Sequence, residues 1–349
     1  MFIKIKPSKD SLFSVNPQPN EAQPAYKRFY GFIFSEKTAT VRTNFYRVVT
    51  MFSSPSEAFT AYLAIPERLP QNNGQQANRV IQKITDLVEH IDVFLFDAYG
   101  VLNVGSSPIS GACEQIAKLR AAGKMVLVVT NAATQNKPQL VEKFQRLGYD
   151  FSEQEIISSR EVLMQAIDLS GSKSLGVITL DEFRLDIERP CFYPQDPEFW
   201  QAEEFLFLSG QAWNERRQQR FVQALRAQPR TVWVGNSDLI APLEHGVSQE
   251  PGSFTLTLPD DLYPLVRCYG KPYAPIFEEA LKRIGAQRGT IPAKRIAMIG
   301  DTLHTDILGG NAQGFTSVLV TQHGFLRGLD VAEHIARSQI IPDFQLASI

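Results

Sequence analysis

The sequence predicts a doubly wound α/β fold, a parallel sheet with helices on both faces, carrying a second α/β domain inserted into the first. Three observations predict it. The runs 93–96 and 125–129 are short and wholly apolar, as strands buried on both faces must be. Helical stripes ended by glycine separate and follow them. The same rhythm resumes after residue 265, once a stretch of different character has passed.

Residues 1–50 read as a loosely ordered N-terminal extension. They are basic, and Pro7, Pro17, Pro19 and Pro24 interrupt any period in their first half. Residues 51–90 read as a helical lead-in. Ser54 and Glu57 have capping-box spacing, and Pro55 suits a first helical position. Ala58, Phe59, Tyr62 and Leu63 follow at helical spacing until Pro66. A second helix over 78–89 would place Val80, Ile81, Ile84 and Val88 on one side.

The core is expected over 91–154 and 266–349. Ala112, Ile116 and Leu119 form one helical stripe, and Leu140, Phe144 and Leu147 another. Later come a helix over 274–284, a strand over 295–299, a helix near 305–313 and a strand over 317–320. The insertion, 155–265, alternates strand-like runs (175–178, 205–208, 231–234) with helical ones (160–168, 214–226). Seated above the carboxyl edge of the sheet, it would cover a site there.

Composition narrows the function. A net charge of −2 over 349 residues gives no basic field to recruit nucleic acid. Cys113, Cys191 and Cys268 are far apart and odd in number, which fits free thiols in a reducing cytosol rather than a disulfide or zinc framework. No run approaches the roughly 18 apolar residues a membrane span needs, and the N-terminus lacks the apolar stretch of a signal peptide. The expectation is a soluble, cytoplasmic protein without nucleic-acid or membrane partners.

Four signals carry chemistry, each just after a strand or ahead of a helix. Asp97 directly follows the buried run 93–96, where a carboxylate can serve as nucleophile or metal ligand, and Gly100 permits a sharp turn. Thr130 and Asn131 end the next strand and can hold phosphoryl oxygens. Lys271, between Gly270 and Pro272, precedes a helix and can balance negative charge. Asp301 and Asp306 follow the strand 295–299 and suit Mg²⁺. Each is weak alone, but all four in this order and context make a joint signal.

Together these motifs resemble the haloacid dehalogenase (HAD) superfamily, and most of all its NagD-like branch of phosphatases, over residues 91–325. That branch carries a large α/β cap between its second and third motifs, on a Rossmann-like core. Gly235-Asn236-Ser237-Asp238 is similar to the branch's Asn-Pro-Asp substrate-side segment, with Ser237 in place of proline. The resemblance implies that Asp97 attacks phosphorus and that water then hydrolyses the aspartyl-phosphate. It implies that Mg²⁺ is held by Asp97, the backbone carbonyl of Tyr99 and Asp301, with Asp306 a ligand or an acceptor behind one. Thr130, Asn131 and Lys271 would position and neutralise the phosphoryl group of a small phosphorylated metabolite, with Asn236 and Asp238 on the substrate side. A homodimer is compatible with the resemblance.

One position departs from the pattern. Family phosphatases carry a second aspartate two residues after the nucleophile, to protonate the leaving group and activate water; here it is Tyr99. A phenol, with a reference pKa of about 10, is a poor base at neutral pH. Three readings follow. The protein is a phosphatase that is slow, prefers good leaving groups or borrows another acid, His304 being the candidate. It is a 2-haloacid dehalogenase-type hydrolase, whose first motif Phe96-Asp97-Ala98-Tyr99-Gly100 resembles. Or it is a weak or inactive phospho-ligand-binding protein. Glu203-Glu204 reads as a solvated turn, Trp233 as core, and Trp213 as a residue that could face substrate.

Overall fold

In the computed structural model, residues 52–74, 77–243 and 246–349 are described. They belong to one compact unit, 46–349. The expected extension over 1–50 lies outside the described residues.

The first four strands of the larger sheet are β1 (Arg79–Val80), β2 (Val93–Phe96), β3 (Met125–Thr130) and β4 (Ile156–Ser158). The chain then builds a second sheet from β5 (Leu175–Ile178), β6 (Cys191–Phe192), β7 (Glu204–Phe207), β8 (Val232–Val234) and β9 (Val266–Cys268). It returns for β10 (Ile296–Gly300), β11 (Thr316–Val320) and β12 (Phe344–Leu346). The strand orders are β1-β12-β11-β10-β2-β3-β4 and β9-β8-β7-β5-β6. Neighbours in both sheets are parallel. This is the doubly wound core and the inserted α/β cap that the sequence predicts.

Side chains alternate across a strand, so β2 must be apolar at every position to serve two faces. Phe94 and Phe96 pack with Ile116, Leu119, Leu140 and Phe144 from helices on one side. Val93 and Leu95 pack with Ile276, Phe277, Ala280 and Ile284 from the helix Ala274–Arg288 on the other. Successive strands run outward from β2 in opposite directions, through β3 to β4 and from β10 through β11 to β12. The crevice left at the carboxyl end of β2 and β10 is where such sheets hold ligands.

Three expectations change. The helix over 78–89 does not form. Arg79 and Val80 extend the sheet edge, with Arg79 N and Ile81 N donating to Asp343 O (3.0 Å) and Gln345 O (2.9 Å), and only Ile84–Leu87 makes a helical turn. A short isolated helix is marginal in water, whereas the edge of β12 offers ready backbone partners. The boundaries at 155 and 265 also shift. β4, just past the first, still pairs with β3 in the larger sheet, and β9, just past the second, pairs with β8 in the cap. A three-residue strand carries no mark of which sheet it joins. Finally, Glu204 is not in a solvated turn. It lies in β7, where it takes an ion pair from Arg189 (2.6 Å) and a hydrogen bond from Trp233 Nε1 (3.1 Å).

The lead-in helix forms as Pro55–Leu63, with the Ser54 hydroxyl accepting from Glu57 N (3.3 Å). The Glu57 carboxylate turns to Ser53 N (2.7 Å) instead of Ser54. Its buried face, Ala58, Phe59, Ala61 and Tyr62, packs against both Leu239, Ile240 and Leu256 of the cap and Leu303, Ile307 and Phe325 of the core. This helix therefore bridges the two sheets' territories.

Candidate active site

Five strand ends converge on one place. From the larger sheet come Asp97 after β2, Thr130 and Asn131 at β3, and Asp301 after β10. From the cap come Asn236, Ser237 and Asp238 after β8, and Lys271 after β9. The Asp97 backbone is fixed by its N–H donating to Ile299 O (2.8 Å). Lys271 is 2% exposed, and its Nζ lies 2.5 Å from Asp97 Oδ1 and 2.6 Å from Asp306 Oδ1. Asp97, Asp301 and Asp306 each offer a carboxylate oxygen within 4.8 Å of the others.

So much negative charge in so little water has a cost that appears in protonation. Burial is the main cause that raises Asp97, to about 6, against the pull of Lys271, and Asp306 raises it further. Burial, then the carboxylates of Asp306 and Asp97, push Asp301 well above the ordinary carboxylate range. Burial alone would lower the Lys271 ammonium, but Asp306, Asp97 and Asp238 more than reverse that. Three clustered carboxylates, two of them paired with one ammonium, form an all-oxygen donor set with uncompensated charge. That set fits a hard divalent cation.

Asp301 is held from several sides. Phe325 N donates to Oδ2 (2.7 Å) and the Thr302 hydroxyl to Oδ1 (3.0 Å). A β-carbon on Gly324 or Gly100 would land on this carboxylate, and Gly100 also has φ +74°, so only glycine fits there. Asp306 sits in a turn of π-helix, Leu303–Ile307, with Thr302 N donating to its Oδ2 (3.1 Å). Such turns place an extra residue in a helix and recur at functional sites.

The amides of the second and cap motifs serve the protein itself. Asn131 Nδ2 donates to Lys271 O (3.0 Å) and to Asp238 Oδ1 (3.0 Å), while its Oδ1 accepts from Lys271 N (2.7 Å). Asn131 thus positions Lys271 and Asp238 more directly than it offers an open amide. Asn236 is likewise engaged, donating to Glu250 Oε2 (3.0 Å) and accepting from Asp238 N (2.9 Å). Ser237, which stands where the similar segment has proline, donates its hydroxyl to Lys271 O. The Thr130 hydroxyl accepts from Ala132 N (3.3 Å). The Tyr99 hydroxyl accepts from Gly105 N (2.9 Å), on the small hairpin 103–108.

His304 is not solvent-facing. It is 3% exposed, stacked on Tyr62 at 4.5 Å with Phe59 edge-on at 5.3 Å, and burial pushes it down to about 3. It is held neutral within an aromatic cluster. Trp213 does not face a substrate either; it is 2% exposed in the cap core and donates to Gln218 Oε1 (2.8 Å). Gly324, Phe325 N and Tyr62 join the site from segments that carried no motif. Only the glycine offered any signal, and one glycine among 22 points nowhere.

Two family profiles match this chain: a haloacid dehalogenase-like hydrolase profile over residues 94–189 and a HAD-hydrolase-like profile over 268–347, together just over half of it. The chain belongs to the haloacid dehalogenase-like hydrolases. The matched segments carry Asp97, Thr130 and Asn131, then Lys271, Asp301 and Asp306. Phosphoglycolate phosphatase 1A, chloroplastic, of Arabidopsis thaliana is 26% identical over 297 residues, covering 78% of this chain and 79% of its own. Glycerol-3-phosphate phosphatase of Gallus gallus is 28% identical over 290 residues, covering 75% and 91%. A possible sugar phosphatase of the HAD superfamily from Cytophaga hutchinsonii superposes with a TM-score of 0.67 at 24% identity, covering 78% of this chain and 98% of that one. Among the described residues no helix is long and apolar enough to cross a membrane.

Proposed function

We propose that this HAD-like hydrolase is a phosphatase acting on a small phosphate ester, that Asp97 is its nucleophile and that Mg²⁺ is its metal. The observation that carries the reading is the meeting of Asp97, Asp301, Asp306 and the buried Lys271 at the carboxyl ends of parallel strands. The names of its relatives support a small substrate such as a phosphorylated two- or three-carbon acid or alcohol.

Asp97, Asp301, Asp306 and the carbonyl of Tyr99 would hold the cation, which when bound supplies positive charge against the phosphoryl oxygens. An Asp97 carboxylate oxygen attacks phosphorus and carries the phosphoryl group until water removes it. Lys271 holds Asp97 ionised and aims it, and its ammonium balances the charge that arrives with the substrate. Thr130 lies beside this position with a buried hydroxyl suited to a phosphoryl oxygen. The α/β cap and the acidic trio support this reading over the metal-free attack on carbon of a 2-haloacid dehalogenase.

The test is phosphate release from a panel of esters, with and without Mg²⁺. The expected result is metal-dependent turnover that falls by about 10³-fold or more in Asp97→Asn. Turnover that survives in Asp97→Asn, or halide released from a 2-haloacid without metal, would overturn the reading.

A further inference from the structure

We propose that Asp238, carried on the turn after cap strand β8, is the proton donor that position 99 no longer supplies. The inference rests on the phosphatase reading above. It begins from a vacancy in the chemistry. Tyr99 offers a phenol whose oxygen is engaged by Gly105 N–H, and His304 is locked in an aromatic stack. A monoester with a poor leaving group still needs a proton on the departing oxygen.

Asp238 is a further carboxylate that the fold brings within electrostatic reach of the nucleophile. Its Oδ1 lies 3.0 Å from Asn131 Nδ2, the same amide nitrogen that donates to Lys271 O. Its field is felt by Lys271, and it feels Lys271, Asp97 and Asp306. Unlike Asp301 and Asp306, which are buried, Asp238 keeps partial exposure as a residue. Burial first, then the charges of Asp97 and Asp306, hold its carboxyl well above the ordinary range despite Lys271.

Its placement is also rigid. Asp238 N donates to Asn236 Oδ1 (2.9 Å), and the next residue's N–H donates to Tyr62 Oη (3.0 Å). Tyr62 stacks in turn on His304 of the acidic loop. A β-carbon on Gly252 would strike the carbonyl oxygens of Ser237 and Asp238, so the turn is packed from that side too. Asp238 is therefore anchored to the core and need not travel with the rest of the cap.

The step balances without another reactant. Asp97 Oδ forms a bond to phosphorus as the P–OR bond breaks, and the departing oxygen takes the Asp238 proton to leave as ROH. The Asp238 carboxylate then removes a proton from water as the water oxygen attacks phosphorus. The P–O bond to Asp97 breaks, orthophosphate leaves and Asp238 is protonated again.

The test compares p-nitrophenyl phosphate, a good leaving group, with glycerol 2-phosphate, a poor one, in the full-length chain with Mg²⁺. Asp238→Asn should lose about 10²–10³-fold in kcat on the alkyl ester and less than about tenfold on the aryl ester. Adding Tyr99→Asp to Asp238→Asn should restore most of the alkyl-ester rate. Both rates come from one protein sample, so partial misfolding cancels from their ratio. An equal loss on both esters would overturn the proposal and leave Asp238 a positioning residue. Wild type without turnover on either ester would overturn the phosphatase reading as well.

Discussion

The two sides of the cleft are built differently. On the core side, Asp97, Thr130 and Asp301 each stand within a residue of the end of a parallel strand, so the sheet that carries them also aims them. On the cap side, the turn carrying Asp238 is secured by residues far away in sequence. Tyr62 accepts from Leu239 N, Phe52 and Gln249 exchange two hydrogen bonds (3.0 and 2.7 Å), and Arg68 donates to Leu256 O (2.6 Å) and Leu258 O (2.7 Å). Tyr263 and Tyr273 both donate to Arg68 O at 3.0 Å. The lead-in segment 52–69 is thus a clasp across cap and core. The difference teaches that the core side can lose a residue and keep its fold, whereas the cap side can lose its place without losing any residue of the site.

If that contrast holds, damage to the core side should strike activity with little effect on stability. The largest effect is expected from Gly324→Ala, whose methyl would land on the Asp301 carboxylate. A displacement near 1 Å at a reacting group costs about 10²-fold in rate, and phosphate release should fall at least that far. Mg²⁺ titrated against activity should show weaker binding. Unchanged metal dependence in Gly324→Ala would break the assignment of Asp301.

Damage to the clasp should do the reverse. Arg68→Ala leaves Leu256 O and Leu258 O without a donor and removes the guanidinium 4.6 Å from the Tyr263 ring. Two charge-assisted bonds make this worth about 3 kcal/mol, or about 4–6 °C in Tm for a chain of this size. Tyr62→Phe deprives Leu239 N of its acceptor in a buried place, for about 1–3 kcal/mol and about 2–4 °C. Thermal unfolding checks both. A Tm equal to wild type in Arg68→Ala would show that the clasp contributes nothing to stability.

The smallest effect is a control remote from the site. Arg295 holds Asp92 down to about 2, chiefly through a hydrogen bond to its carboxylate. Because the folded-state value is depressed, the pair stabilises fully above the unfolded carboxylate value near ~3.9, and that contribution is lost as pH falls toward 2. Both side chains are about a third or more exposed, so solvent screening keeps it small. Asp92→Asn should lower Tm by about 1–2 °C at pH 7 and by nothing near pH 2. A deficit that persists at pH 2 would assign the effect to packing.

The fold class and the core half of the site were legible in the sequence. Apolar runs of strand length, glycine-ended helical stripes and strand-terminal Asp97, Thr130 and Asp301 are local patterns, and local patterns survive being read in one dimension. The edge strand at Arg79–Val80 was not legible, because its backbone partners come from residues 343 and 345. Nor were the burial of His304, the work of Ser237 on Lys271 O, or the Tyr62–Leu239 bond, each of which joins distant segments. The sequence by itself determined which acids and which lysine could meet, since residues that follow parallel strands converge at one edge of the sheet. Only the tertiary structure decided that Asp238 stands beside them while His304 is withdrawn, because hydrogen bonds and aromatic stacking across long loops depend on distances that a linear sequence does not contain.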